Sequence, residues 1–531
     1  MRLYGNISEV SSVEAPWSCS AVLVTIVSCT LTSLSNCVYN LTLHPLARFP
    51  GPLLHRATRL SSCVRLVQGR LPYDVLDLHR QYGHVVRIAP DELSFAHADA
   101  WKEIYGRRPM GTSAAGPEEL PKYSTFYHNA GLPHSIVNED RENHALLRRM
   151  LFPGFSERAL RNQEPIIGGY VDLLMRQLHR HSKVRETDVQ GDDDLDLSGT
   201  GCESTLELQG QQVGAPKPVD LKDWYIWTTF DVIGDLCFGE PFGGLERGRY
   251  DPWVAQLNSA GPISAWLWTI KYLGWDRVLV RLMRWLVLNR VELAHRTTER
   301  LQRRMAMPTE RLDLVAGLLK KREGSALEPL QIRVNVGTLV LAGSETASTL
   351  LCGVTFLVLK HREVMMRLRE EVRSWFAREE DITISSVTKL TYMSACLDEA
   401  LRCYPPAAAG MPREVPTGGT TVAGEILPEG TACAVWQWSL FHDEKYFTRP
   451  FDFCPQRFLN DPEFASDKLD MFQPFSFGPR NCIGLNLAHA EMRLILSKLI
   501  FNFDMELVDP GDDWLNQKSY LFWHKTPLKV Y

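Results

Sequence analysis

Of the 12 cysteines in this 531-residue chain, one sits where its sulfur has chemistry open to it. Cys482 lies in the stretch Phe475-Ser-Phe-Gly-Pro-Arg-Asn-Cys-Ile-Gly484, just ahead of the helical run Leu487–Phe501. A thiolate needs positive potential to stay deprotonated, and the N-terminal amides of a following helix supply it. Gly478 and Gly484 let a flat cofactor and backbone N–H groups approach the sulfur closely. Arg480 is placed to pair with an anionic group on that cofactor. A cysteine taken singly is more often a small buried hydrophobe; it is the whole stretch that shifts the balance.

Other pairs have bland readings when taken alone. Glu399 and Arg402 stand at i and i+3 on one helix face, ordinarily a solvated surface pair. Glu345 and Thr346 lie inside the apolar run Val334–Leu359, where an acid usually faces solvent or an ion-pair partner and a threonine hydroxyl bonds back to a carbonyl. His144 and Arg148 stand at i and i+4, with Arg149 as an alternative that the spacing favours less. Together with Arg413, they read first as surface basic residues.

The elements that would position these residues are mostly helices. The apolar periodicity predicts helices over Leu71–Gly83, Glu139–Leu151, Pro165–His181, Asp223–Cys237, Asp276–Met305, Gln331–Lys360, Glu363–Arg378, Ser394–Cys403 and Leu485–Phe501. Short strands are predicted at Val85–Ile88, Thr420–Ile426 and Thr431–Val435. The segment 183–218, with Asp192-Asp-Asp194, lacks the apolar content to pack and reads as a surface insertion. The expected fold is a single large, mainly α body with minor β. A composition of 45% hydrophobic and 23% charged residues is ordinary for a globular protein with a sizeable core. A net charge of -5 gives no global field for nucleic acid. The cysteines show no CxxC pair, which excludes a zinc module or disulfide framework and suits a reducing compartment.

The Cys482 stretch resembles, at every defining position, the haem-binding signature Phe-x-x-Gly-x-Arg-x-Cys-x-Gly of the cytochrome P450 family. The resemblance implies haem b with Cys482 as axial thiolate and metal ligand, Phe475 shielding the sulfur and Arg480 on a haem propionate. It also implies that Glu399, Arg402 and Arg457 form a buried ionic network, Gln456 standing where the family more often has Glu. Ala342-Gly-Ser-Glu-Thr346 resembles the family's oxygen-activation segment, in which Gly343 opens a groove and Glu345 and Thr346 relay protons. His144, where many members have Trp, would join Arg148 and Arg413 on the propionates. Longer stretches, including Asp231–Phe242, resemble the fungal secondary-metabolite branch that includes isotrichodermin hydroxylase.

Between Glu14 and Arg48 there is no charged residue, and the segment is long enough to span a bilayer. A cleaved signal peptide or a buried first helix fits less well, since acids precede the segment and no clear cleavage site follows. Residues 1–44 are therefore expected to be an anchor, with the span at about 17–39, and 45–531 the catalytic domain. Arg48, Arg56, Arg59 and Arg65 place the body in the cytosol, so Asn6-Ile7-Ser8 becomes a lumenal glycosylation sequon. The resemblance then implies a single-pass protein of the endoplasmic reticulum membrane. It would take electrons from NADPH-cytochrome P450 reductase, with cytochrome b5 as a second donor, and oxidise a small lipophilic terpenoid, polyketide or alkaloid. Desaturation, epoxidation and oxidative cyclisation use the same residues; an oxygen-independent isomerase or a haem sensor would need neither Glu345 nor Thr346. The pocket roof is expected from Arg107–Ser135, Leu245–Trp275, Thr338–Thr346, Ala407–Met411 and Tyr520–Trp523.

Overall fold

The helix Pro329–Lys360 runs through the middle of the molecule, with every residue from Ala347 to Val358 buried. The computed structural model describes residues 19–107, 119–127, 134–182, 217–275, 281, 291–307, 311, 313–319 and 327–531. Asn6, most of 183–218, much of the Arg107–Ser135 segment and most of the first half of the expected Asp276–Met305 helix lie outside the described residues. By length and composition, the central helix is apolar enough to cross a membrane, but 78% of that window is buried inside the protein. It is apolar all round because other helices cover it all round.

Leu221–Phe238 packs along it most extensively, and Thr391–Cys403 and Leu485–Asn502 close other sides. Leu221–Phe238 starts where the Asp220 carboxylate accepts from the Lys222 N–H at 3.1 Å. It stops at Gly239, whose left-handed φ of 76° lets its N–H reach the Asp235 carbonyl. Tyr225 Oη and Thr355 Oγ1, 2.7 Å apart, pin the pair together. Gly343 serves this contact: a Cβ there would lie 2.8 Å from Ile233 Cδ1. The room beside Gly343 is therefore filled by the neighbouring helix, where the resemblance led us to expect an open groove.

A four-stranded sheet lies apart from this bundle, in the order Val85–Ala89, Glu92–Phe95, Ala432–Val435, Arg413–Glu414. The first pair is antiparallel, Glu92 pairs with Ala432 in parallel, and Arg413 pairs with Cys433 antiparallel. Strand Glu92–Phe95 is not legible by alternation, because all four of its residues are buried. Its polar members are satisfied inside: Glu92 accepts from Arg59 Nη1 at 2.6 Å, and Ser94 Oγ lies 2.7 Å from His79 Nε2. The predicted helices appear within a few residues of their expected bounds, as Leu71–Tyr82, Arg141–Leu151, Arg362–Trp375 and Leu485–Asn502. Pro165 lies inside the longer helix Glu157–Ser182 instead of opening it.

Candidate active site

The cysteine loop is built by two unusual backbone turns. Ser476 and Gly478 have φ of 62° and 77°, and the Cys482 N–H donates back to the Phe475 carbonyl at 2.9 Å. A Cβ on Gly478 would lie 2.0 Å from the Tyr105 carbonyl oxygen, whereas one on Gly484 would meet Phe155 and Cys482 Sγ only at 3.8 and 3.9 Å. Gly478 is thus required by close approach, and Gly484 leaves room beside the sulfur. Cys482 is exposed by area, yet burial raises its thiol pKa, against the opposing pull of the Gly484 N–H and the Arg148 charge. Both observations hold if the sulfur looks into a space enclosed by the protein. On the central helix, Thr338, Ala342 and Thr346 form an accessible stripe, while the next turns are closed.

Cations gather at one edge of the loop. Arg148 donates to the Asn481 carbonyl at 2.7 Å and to Asn481 Oδ1 at 2.6 Å. Arg480 donates to Glu119 Oε1 and the Glu139 carbonyl, each at 2.8 Å. Arg413, held by the sheet, donates to the Leu120 carbonyl at 2.9 Å, but its buried Nε has no partner. Lys122 bridges to Arg413 through the backbone, and its ammonium lies 4.2 Å from the centre of the Tyr127 ring. Burial, followed by Arg413 and Arg480, pushes the Lys122 pKa well down. His144 is pushed down to about 3 by burial and then by Arg480, Arg148, Lys122 and Arg413. Mutually repelling buried cations and an orphaned guanidinium N–H are what an anionic ligand would satisfy. The residues present therefore fit a flat, dianionic haem lying on the cysteine loop.

The family model described as Cytochrome P450 matches residues 202–530. The chain is a cytochrome P450. It is 41% identical over 500 residues to cytochrome P450 monooxygenase prhB of Penicillium brasilianum, covering 93% of this chain and 94% of that one. Trichothecene C-15 hydroxylase of Fusarium sporotrichioides is 38% identical over 505 residues, covering 93% and 94%. Averantin hydroxylase of Dothistroma septosporum is 40% identical over 508 residues, covering 94% and 89%. This P450 is accordingly a haem monooxygenase of the fungal secondary-metabolite type, whose iron takes a cysteine thiolate as axial ligand.

Glu399, Arg402 and Arg457 come together, all three side chains closed to solvent. Glu399 accepts from Arg402 Nη2 and Nε, each at 2.8 Å, and from Arg457 Nε at 3.1 Å. The sequence reading missed the fourth member, Asp467, which pairs with the outer side of Arg457. Remaining donors of Arg402 go to the carbonyls of Phe441, Pro450 and Asp452, so the network ties the helix Thr391–Cys403 to the distant segment 441–467 that leads into the cysteine loop.

Glu345 and Thr346 are not hydrogen-bonded to each other. Thr346 Oγ1 donates to the Ala342 carbonyl at 2.7 Å, while Glu345 is ion-paired with Lys525. No local signal could have revealed Lys525 or Lys122, because tertiary contact alone supplies their partners. A mainly apolar cavity lies elsewhere, lined by Cys63, Leu66, Ile88, Trp268, Tyr272 and Leu521 among others. The roof segments Leu245–Trp275, Ala407–Met411 and Tyr520–Trp523 each contribute to its wall, as does the N-terminal helix Leu60–Val67, which the sequence reading omitted.

Proposed function

We propose that this P450 is a membrane-anchored monooxygenase that oxidises a small lipophilic secondary metabolite, with Cys482 as the axial ligand. The observation that carries the reading is the Cys482 loop, where Gly484 leaves room beside the sulfur, next to a cluster of basic side chains in which the buried Arg413 Nε has no partner. Arg413, Lys122 and Arg480 would face the haem propionates, His144 would offer them a ring N–H, and Arg148, bonded to Asn481, braces the cysteine loop from the same edge. Phe475, its ring 5.0 Å from that of His489, screens the thiolate side. The haem, when bound, supplies the activation of dioxygen and the transfer of one oxygen atom to the substrate. Thr346 holds a hydroxyl at the accessible stripe of the central helix, and Glu345, ion-paired with Lys525, would relay protons toward it. Electrons come from an NADPH-dependent reductase, with cytochrome b5 as a second donor.

The anchor is the helix Cys19–Thr42, which contains no charged residue and exposes Leu31, Leu34 and Val38. Leu53–Ala57 packs on it, and Leu60–Val67 packs on Ala260–Tyr272. These short helices leave Leu53, Leu54, Leu60, Val64, Ile263 and Trp266 exposed, an apolar surface suited to a bilayer interface. Two relatives are named for hydroxylating trichothecene and averantin, and the apolar cavity suits a lipophilic substrate. The lumenal side of Asn6 follows from the charge bias, and residence in the endoplasmic reticulum from the family resemblance.

Reduction under carbon monoxide tests the assignment. The wild type is expected to give the thiolate-type Soret band and Cys482→Ser to lose it; survival of the band in the variant would refute Cys482 as ligand. Endoglycosidase should shift the electrophoretic mobility of the wild type but not of Asn6→Gln, and no shift in either would refute the lumenal N-terminus.

A further inference from the structure

The helix Cys19–Thr42 has no basic residue in its last turn, so it brings no cation of its own to its final carbonyls. The Leu43 and His44 N–H groups both donate to the Tyr39 carbonyl, at 2.8 and 2.9 Å, which leaves the Asn40 carbonyl for another donor. Arg87, on the strand Val85–Ala89, takes it: its Nη1 donates to the Asn40 carbonyl at 2.8 Å. The cation that caps this helix thus comes from the catalytic body, 47 residues further along the chain.

Arg87 is closed to solvent. Its Nε and Nη2 donate to the Pro90 carbonyl at 2.9 and 2.6 Å. All three bonds run to carbonyl oxygens, and among the described residues no carboxylate is hydrogen-bonded to it. A buried guanidinium served only by carbonyls is left with an unmet donor as soon as one of them moves away. The end of the helix and the strand are therefore held together by what Arg87 needs.

The chain between them has no slack. The Arg87 N–H donates to the Pro50 carbonyl at 2.8 Å, and a Cβ on Gly51 would lie 2.4 Å from the Arg87 carbonyl oxygen, so the connector lies directly on the strand. Asn40 Nδ2 donates to the Ala57 carbonyl at 2.9 Å, and Arg56 Nη2 to the Ala47 carbonyl at 2.8 Å. Leu46 and Phe49, within the connector, are buried.

We propose that Arg87 is a positioning residue that caps the anchor helix from the body and makes the two turn as one rigid unit. The angle and height of the body over a bilayer are then inherited from the tilt of the anchor, with no free tether between them. The inference rests on the anchor reading above, but the clamp is built from the chain alone and needs no bilayer to hold.

The test is a distance distribution from pulsed electron paramagnetic resonance on full-length, haem-loaded protein in phosphatidylcholine nanodiscs. Nitroxide-bearing amino acids replace Leu31 on the helix and Ile426 on the body, both exposed. The wild type should give one narrow distribution. Arg87→Met should widen it at least twofold while the carbon monoxide spectrum stays intact. Arg56→Met, which removes a neighbouring strap and leaves the Arg87 bonds, should stay narrow. Arg87→Lys offers one nitrogen where the guanidinium uses three, so it should widen the distribution as well, and it decides the matter if Arg87→Met fails to take up haem. A broad wild-type distribution, a narrow one in an Arg87 variant, or equal widening in Arg56→Met would overturn the proposal. So would loss of the carbon monoxide spectrum in both Arg87 variants, since that would make Arg87 a support of the body itself. Failure of the anchor reading shows separately, as protein left in the supernatant when phosphatidylcholine vesicles are sedimented; the same distances measured in detergent then still judge the clamp.

Discussion

At the scale of single residues, the two glycines that flank Cys482 should behave differently. Gly478→Ala drives a methyl into the Tyr105 backbone carbonyl at 2.0 Å from a residue with φ of 77°, a contact no side-chain motion relieves. Gly484→Ala meets only ordinary contacts. Gly478→Ala is therefore expected to abolish haem incorporation and lower the melting temperature, whereas Gly484→Ala keeps the fold; circular dichroism melts with the Soret absorbance check both. Lys122 makes a less intuitive prediction. Removing it as Lys122→Met relieves repulsion with Arg413 and Arg480, so the haem-free protein should gain stability. Haem itself should transfer faster to apomyoglobin, because an anion loses a buried cation. The cysteine loop was legible because consecutive residues carry all of its chemistry. Lys122, Asp467 and Lys525 were not, since each acquires its role only where distant segments meet. Glu345 shows the limit of reading neighbours: adjacent in sequence to Thr346, it faces Lys525 instead.

At the scale of elements, the ionic network is expected to dominate the docking of the segment 441–467 onto the helix Thr391–Cys403. Glu399→Gln leaves Arg402 and Arg457 fully buried with one carboxylate, Asp467, in place of two. Loss of one buried partner costs roughly 3–5 kcal/mol, so this variant should unfold at a clearly lower urea midpoint. Arg449→Met, whose partners Asp452 and Glu463 are half exposed, should change it by less than about 1 kcal/mol. Helices with one apolar stripe, such as Arg362–Trp375, were legible from periodicity, and so was the wholly apolar central helix, from its length. Helix Ala260–Tyr272 was foreseen only as part of a roof. Its sequence is apolar on several sides without a clear period, and it leaves Ile263 and Trp266 exposed. Periodicity reports which face meets the core; it is silent where a helix meets something other than core or water.

At the scale of the whole molecule, buried ionisable groups set opposing pH limits. Burial lowers His79 to about 4 and His442 to about 3, and His79 sits neutral between the Gly83 carbonyl and Ser94 Oγ. The unfolded chain binds protons at these sites below about pH 6.5 and the folded one does not, so stability is lost as pH falls from 6.5 toward 4. By pH 5 this amounts to about 2 kcal/mol for each histidine. Burial raises Glu491 to about 8, with its Oε1 unpartnered. Its contribution is complete below about 4.5 and is lost as pH rises toward 8. Urea midpoints should therefore peak near pH 6, with His79→Gln flattening the acid limb and Glu491→Gln the alkaline one. The parallel pairing of Glu92–Phe95 with Ala432–Val435 carries a consequence for biosynthesis. The early hairpin leaves the ribosome while the strand it must pair with has yet to be translated, so its open edge has to be shielded through most of elongation. The nascent chain is then a client for holding chaperones, and slowing translation before Ala432 should lengthen that dependence.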